Sequence, residues 1–310
     1  MIRTALVALW LVSSAVMAGD LAFVTSQNGN AVSIVDLDTQ EVLAETTIAG
    51  APAPVAYDPS VGRAFVMAAE TGLLSVLDET GAIIATREMG EGAFGLAVAP
   101  DGGVFVTDWY AARLTRLGAD LQPLWQAQTG TAPAGVAVSA DGALVATADR
   151  DADAISIFDA GSGQRLYQVA TAGPHPFGIT WHGGRFWTAD VQGNSVSVID
   201  PAGQLLGQLP TGSHPYAVAF AGGRGFVTNQ YGSSVTVFDP ARLEVIDTIL
   251  TGDYPEGIAA LPDDSGVIVA NWDSDTMQII DAATLTITAE IDMPAGPRAF
   301  GQFTGRQVQP

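Results

Sequence analysis

Cysteine and lysine are both missing from this chain of 310 residues, and histidine occurs only as His175, His182 and His214. Without cysteine there is no disulfide, thiolate nucleophile, covalent c-type haem or thiolate-bound metal. Without lysine there is no Schiff-base lysine and no lysine general base; all 12 basic residues are arginine. The chain also lacks a Gly-x-Ser-x-Gly elbow, a phosphate-binding loop and a His-Glu-x-x-His pair. Positive charge is scarce: 33 acids leave a net charge of −21. That field repels phosphate backbones and anionic membranes and attracts a basic partner. Its acids are scattered, which also serves solubility. Nucleic acid and membrane insertion are therefore not expected as partners, and the chain is read as a monomer.

The first eighteen residues read as a leader. Arg3 precedes an apolar run at 5–12 that is too short for a stable membrane anchor, and Val16 and Ala18 supply small residues for a cleavage after Ala18. The expected mature chain, 19–310, is one periplasmic or secreted domain. Losing Arg3 takes its charge from −21 to −22.

What is present is repetition. A β-branched run ending in an acid, Val32-Ser33-Ile34-Val35-Asp36, returns with its last position at Asp78, Gly118, Asp159, Asp200, Asp239 and Asp281. The spacings are 42, 40, 41, 41, 39 and 42 residues. Each unit reads as four short strands: a Gly-Val-Ala-like first (135–137), a Phe-Val-Thr-like second (105–107), the Val-Ser-Ile-Val third, and a looser fourth such as 245–249. Asp101-Gly102 and Asp141-Gly142 mark tight turns between the first two. Units of this size and composition predict an all-β, seven-bladed β-propeller with four antiparallel strands per blade.

Two rows in the first strands support this. Ala56, Ala97, Ala137, Thr180, Ala219, Ala259 and Gly301 align as small residues for a crowded axis. Val55, Leu96, Val136, Ile179, Val218, Ile258 and Phe300 align as apolar filler between blades. The N-terminal copy starts at its second strand, 21–25, and the tail 297–303 reads as a first strand without successors. One blade is thus expected to close from both ends of the chain, three strands plus one.

Phe226-Val227-Thr228-Asn229 resembles the Tyr-Val-Thr-Asn motif of the YVTN-repeat (YncE-like) exported bacterial β-propellers, with looser copies at 23–26, 105–108 and 268–271. The likeness spans the mature chain and implies the same fold. It implies no single activity, because related propellers include lactonases, streptogramin lyase, a dehydrogenase heavy chain and haem-d-binding proteins.

In such a blade, the loops leading into strand one and those joining strands two and three share one face. Before the proline position the leading loops carry Ala51, Gly92, Ala132, His175, His214, Tyr254 and Gly296; after it they carry Ala53, Phe94, Ala134, Phe177, Tyr216, Glu256 and Arg298. The other loops are taken to begin at Gln27, Ala69, Trp109, Asp149, Asp190, Gln230 and Trp272. Polar and aromatic residues gather between 174 and 298. The expected ligand site is therefore His175, Phe177, Asp190, His214, Tyr216, Gln230, Tyr254, Glu256, Trp272 and Arg298, with Trp109 and Asp149 on the same face.

His175 and His214, in adjacent blades, with Asp190 or Asp149 would suit a divalent metal. No other cofactor is expected. His182 aligns with a turn on the opposite face. Asp149, Asp151 and Asp153 alternate like the start of a calcium loop, but Ala154 stands where its glycine belongs. The repeated acid after strand three reads as a turn acceptor, and Glu256 and Arg298 as an ion pair. No nucleophile stands out. The sequence reading is an exported binding or scaffold protein for a small molecule or a protein. The alternatives are a metal-assisted lactonase or lyase, or an accessory to a periplasmic oxidoreductase that docks a basic redox partner.

Overall fold

The computed structural model describes residues 19–307, so the leader expected at 1–18 lies outside the described residues. Seven four-stranded antiparallel sheets form a β-propeller. Blade 1 takes the strands Asp20–Ser26, Ala31–Asp36 and Glu41–Thr47, plus Thr304–Arg306. Blades 2 to 7 are continuous, at 52–88, 93–128, 133–170, 176–210, 215–250 and 255–292. No helix among the described residues is long and apolar enough to cross a membrane.

Strand position explains strand composition. Inner strands are covered on both faces by neighbouring blades, so they read as apolar runs rather than alternations. Ala31–Asp36 is buried up to its last residue, whereas the outermost strand Glu41–Thr47 is mostly exposed. Phe105, Phe226 and Phe238 are fully buried between blades; each contributes about 2–3 kcal/mol of burial.

The acids after strand three cap turns, as expected. Asp36 Oδ1 accepts from the amides of Asp38 and Thr39, and Asp239 and Asp281 repeat the arrangement. In blade 3, where Gly118 has replaced the acid, Asp120 accepts from the Gln122 amide instead. The motif threonine clasps the next blade. Thr25, Thr107 and Thr228 donate to the carbonyls of Ala53, Ala134 and Glu256.

Crowding at the axis is sharpest one position before the apolar row. A Cβ added to Gly95, Gly135, Gly178 or Gly257 would stand 2.1, 2.6, 2.3 or 2.2 Å from a carbonyl oxygen of the following blade. These first strands approach one another more closely than any side chain allows.

Closure is real but less even than the repeat predicts. Thr304 pairs with Ala22, although the alignment at Gly301 would put Gln302 there. Pro297 still bridges to Ser26, but between them the tail leaves blade 1 and runs parallel to the first strand of blade 2. The Val55 amide donates to the Phe300 carbonyl and the Tyr57 amide to that of Gln302. The detour carries Phe300 into the axis.

Candidate functional site

The funnel face is built by a backbone latch repeated in every blade. The residue before each proline position has a left-handed backbone, with φ of 60° at Ala51, 93° at Gly92, 54° at Ala132, 59° at His175, 55° at His214, 57° at Tyr254 and 68° at Gly296. Its carbonyl accepts from the first residue of the adjoining strand 2–3 loop, for example Trp109 to Gly92, Gln230 to His214 and Trp272 to Tyr254.

In blades 4 and 5 that first loop residue is Arg150 and Val191. Asp149 and Asp190 are the last residues of their strands, level with Asn229 and Asn271, and both are fully buried. The sequence register was one residue early there, and in a strand a slip of one turns a side chain to the other face. Asp149 accepts from Gly130 N, Thr147 and Ser156; Asp190 accepts from Gly173 N, Ser195 and Ser197. Burial pushes these carboxyls up to about 6 and about 7, against the pull of their hydroxyl donors. They tie loops to strands and do not face the funnel.

The residues after the prolines converge on the axis, and their sizes decide where space remains. Phe177, Tyr216, Glu256 and Arg298 fill one side. Arg298 Nε lies 2.7 Å from Glu256 Oε2. Arg298 also donates to the Tyr216 hydroxyl at 3.0 and 2.5 Å and to Gln27 Oε1 at 2.9 Å, while Gln230 donates to Glu256 Oε1 at 2.5 Å. Glu256 is nearly sealed; burial raises its carboxyl, and Arg298, Gln230 and Tyr216 oppose the shift. Burial likewise holds the Tyr216 phenol protonated. Phe300 lies beneath, 5.5 Å from the Phe94 ring, 5.2 Å from Phe177 and 5.5 Å from Tyr216. The five expected residues Phe177, Tyr216, Gln230, Glu256 and Arg298 are therefore together, as an interlocked plug.

The open space lies beyond that plug, over blades 2 and 3. A cavity of about 250 Å³ is lined by Ala69, Gly92, Phe94, Trp109, Tyr110, Phe177 and Arg298. Beside it the positions after the prolines are small, Ala53 in blade 2 and Ala134 in blade 4, and the first loop residue of blade 2 is Ala69. Phe94 reaches Phe177 across Ala134, at 5.9 Å, and Trp109 stands 6.2 Å from both. Arg150 stacks its guanidinium 5.5 Å from the Trp109 ring, and Arg298 lies 5.9 Å from Phe94. Of the five guanidinium N–H groups of Arg298, the bonds above leave one on each terminal nitrogen uncommitted among the described residues. Of this wall, Trp109, Phe177 and Arg298 are expected ligand residues, while Ala69, Gly92 and Phe94 are expected on the face but not in the site. The remaining wall residue, Tyr110, directly follows Trp109 in the chain and is 78% exposed.

A larger cavity, about 320 Å³, occupies the other end of the axis, with Phe300 at its inner end. First-strand backbone and aliphatic side chains line it; its polar side chains are Thr180, His182 and Gln302. His182 lies on this opposite end, as expected, and stacks flat on Phe220 at 3.9 Å. Burial lowers its pKa.

The other two histidines are set by the latch. The His175 amide donates to Asp153 Oδ1, and its Nδ1 is buried without a hydrogen-bond partner. His214 Nδ1 is 2.9 Å from the Ser213 hydroxyl, and its ring lies on Tyr231. Among the described residues no three His, Asp or Glu side chains gather in a metal-holding group. The alternating acids separate as well: Asp149 is buried, Asp151 pairs with Arg150, and Asp153 holds the His175 turn.

No family model matches the chain, and no curated protein does. Many solved structures share its fold. A functionally unknown protein from Desulfotomaculum acetoxidans DSM 771 is 17% identical with a TM-score of 0.79, over 93% of this chain and 99% of that one. Hydrazine synthase of Kuenenia stuttgartiensis is 18% identical with a TM-score of 0.74, over 88% and 99%. Virginiamycin B lyase of Staphylococcus aureus is 15% identical with a TM-score of 0.69, over 82% and 92%. At these identities the likeness is one of fold alone.

Proposed function

We propose that this chain is an exported binding propeller of the YVTN-repeat kind, holding a small, flat, largely apolar molecule in the funnel cavity over blades 2 and 3. One observation carries the reading: aromatic walls at Phe94, Trp109, Tyr110 and Phe177 bound a space that Arg298 also lines, and Arg298 keeps N–H groups uncommitted among the described residues. Such a site suits a ring system that bears an acceptor such as a carboxylate or sulfonate. The acceptor would add to an existing ion pair, so it orients the ligand more than it drives binding.

The test uses 8-anilinonaphthalene-1-sulfonate, an aromatic sulfonate whose emission rises in apolar sites. One molecule is expected to bind per folded protein. Trp109→Ala should weaken binding about tenfold or more, the size of one lost aromatic wall. Ala69→Leu should abolish it by filling the space while melting stays within about 0.5 kcal/mol of the parent. Unchanged emission in both variants would remove the cavity as the site.

The orphaned Nδ1 of His175 favours one alternative, a metal-assisted lyase or lactonase reaction at His175 and His214. Metal analysis of purified protein separates the readings. A stoichiometric divalent ion that disappears in a His175→Ala/His214→Ala double variant would support catalysis.

A further inference from the structure

Four rings form a continuous track on the funnel face of blades 6 and 7, apart from the plug. His214 lies 4.0 Å from Tyr231, Tyr231 lies 5.2 Å from Tyr254, and Tyr254 lies 5.9 Å from Trp272. Tyr231 is 56% exposed in the short turn Gln230–Gly232, and the other three are half-buried. Two of the rings occupy costly backbone: His214 and Tyr254 are left-handed latch positions, where blades 3 and 1 use Gly92 and Gly296. Packing within the fold does not require rings at these positions.

The surroundings are anionic. Asp253, Asp273 and Asp275 are exposed in the loops that carry the rings. Asp253 is fixed by the Ser233 hydroxyl at 2.9 Å, and Asp273 adjoins Trp272 in the same loop. The only arginines of blades 6 and 7 are Arg224 and Arg242. Arg224 opens a second strand and Arg242 lies in the turn between strands three and four, so both are at the opposite end. Stacked π-faces bordered by carboxylates hold guanidinium and ammonium groups. The net charge of −21 draws a cationic partner toward the protein as a whole. A neutral sugar would stack on the rings and leave the carboxylates without counter-charge.

We propose that the track from His214 to Trp272 docks a cationic segment of a partner protein, whose arginine or lysine side chains lie over Tyr231 and Tyr254 and pair with Asp253 and Asp273. This shares the funnel face with the binding function proposed above but not its cavity. Blades 4 and 5 on one side, and blades 1 and 2 on the other, separate the track from blade 3.

A hexa-arginine peptide titrated calorimetrically into the mature protein at low salt tests it. One site is expected, weakening as salt rises. Tyr231→Ala changes no charge and should weaken binding about fivefold, the size of one exposed cation–π contact. Asp253→Asn/Asp273→Asn should weaken it at least as much, and Trp109→Ala should leave it unchanged. Equal peptide affinity in Tyr231→Ala would assign the binding to diffuse charge and overturn the proposal. Absence of binding, or displacement by neutral maltohexaose, would overturn it too. Because Trp109→Ala acts on the cavity and Tyr231→Ala on the track, each site fails or survives separately.

Discussion

Blades 6, 7 and 1 send Tyr216, Glu256 and Arg298 toward the axis, while blades 2 and 4 send Ala53 and Ala134 from the equivalent position. The sector richest in functional-looking side chains is the one those side chains have filled. Tyr216 and Glu256 are buried, hydrogen-bonded and closed to a ligand. The sector with alanines has the vacancy, and its neighbours Phe94, Trp109 and Phe177 become walls because nothing large stands between them. In a ring of converging residues, chemistry at one position and space at the next are separate requirements. A site needs both within reach, and here Arg298 is the residue that belongs to both sectors.

The largest effect should come from removing the element on which both sectors depend. Deleting 297–310 takes away the closing strand, Phe300 beneath the plug and Arg298 together. It should abolish cooperative unfolding or leave an aggregating chain; an unchanged melting curve would refute closure.

Next is the ion pair. Arg298→Met leaves Glu256 buried without its counter-charge and should cost about 3–5 kcal/mol in denaturant unfolding. Adding Glu256→Leu should return much of that loss. If the single variant is silent, the filled sector is not held by this pair.

A smaller, pH-dependent effect separates blade 5 from blades 6 and 7. Asp190 occupies the place of Asn229 and Asn271, and burial raises its carboxyl to about 7. The folded chain then keeps a proton that the unfolded chain releases near the ordinary carboxylate value. Its contribution is therefore fully present below about pH 4 and lost as pH rises through about 7. Asp190→Asn should flatten that slope and stabilise the protein at pH 8 by on the order of 3 kcal/mol. Unfolding curves at pH 5 and pH 8 decide it, and parallel pH profiles would show that the carboxylate is ionised at no cost in the fold.

Much of the architecture was legible because a period survives the loss of individual residues. Gly118 lacks the acid of its six counterparts, yet blade 3 keeps its place and Asp120 takes over the turn. The site was harder to read for two reasons. Strand alternation makes position all-important, so placing Asp149 and Asp190 one residue early moved two carboxylates from the interior to the funnel. A cavity, moreover, is defined by what is small: Ala69 and Ala134 carry no chemical signal, and their effect emerges only once Phe94 and Phe177 are seen to meet above them. The tail shows a third limit. Its residues continue the repeat in composition, but the detour at 299–302 depends on the first strand of blade 2, which the repeat alone does not reveal.

That tail also sets an order of events. Arg306 and Asp20, ion-paired across the seam, are 286 residues apart in the chain. During synthesis the inner edge of Asp20–Ser26 must therefore stay open until residues 304–306 have emerged, with the other blades able to pair locally in the meantime. Closure waits on the tail, after the strands of blades 2 to 7 are available. A fusion or tag appended at the C-terminus would act on that step, and should slow folding far more than it disturbs the finished propeller.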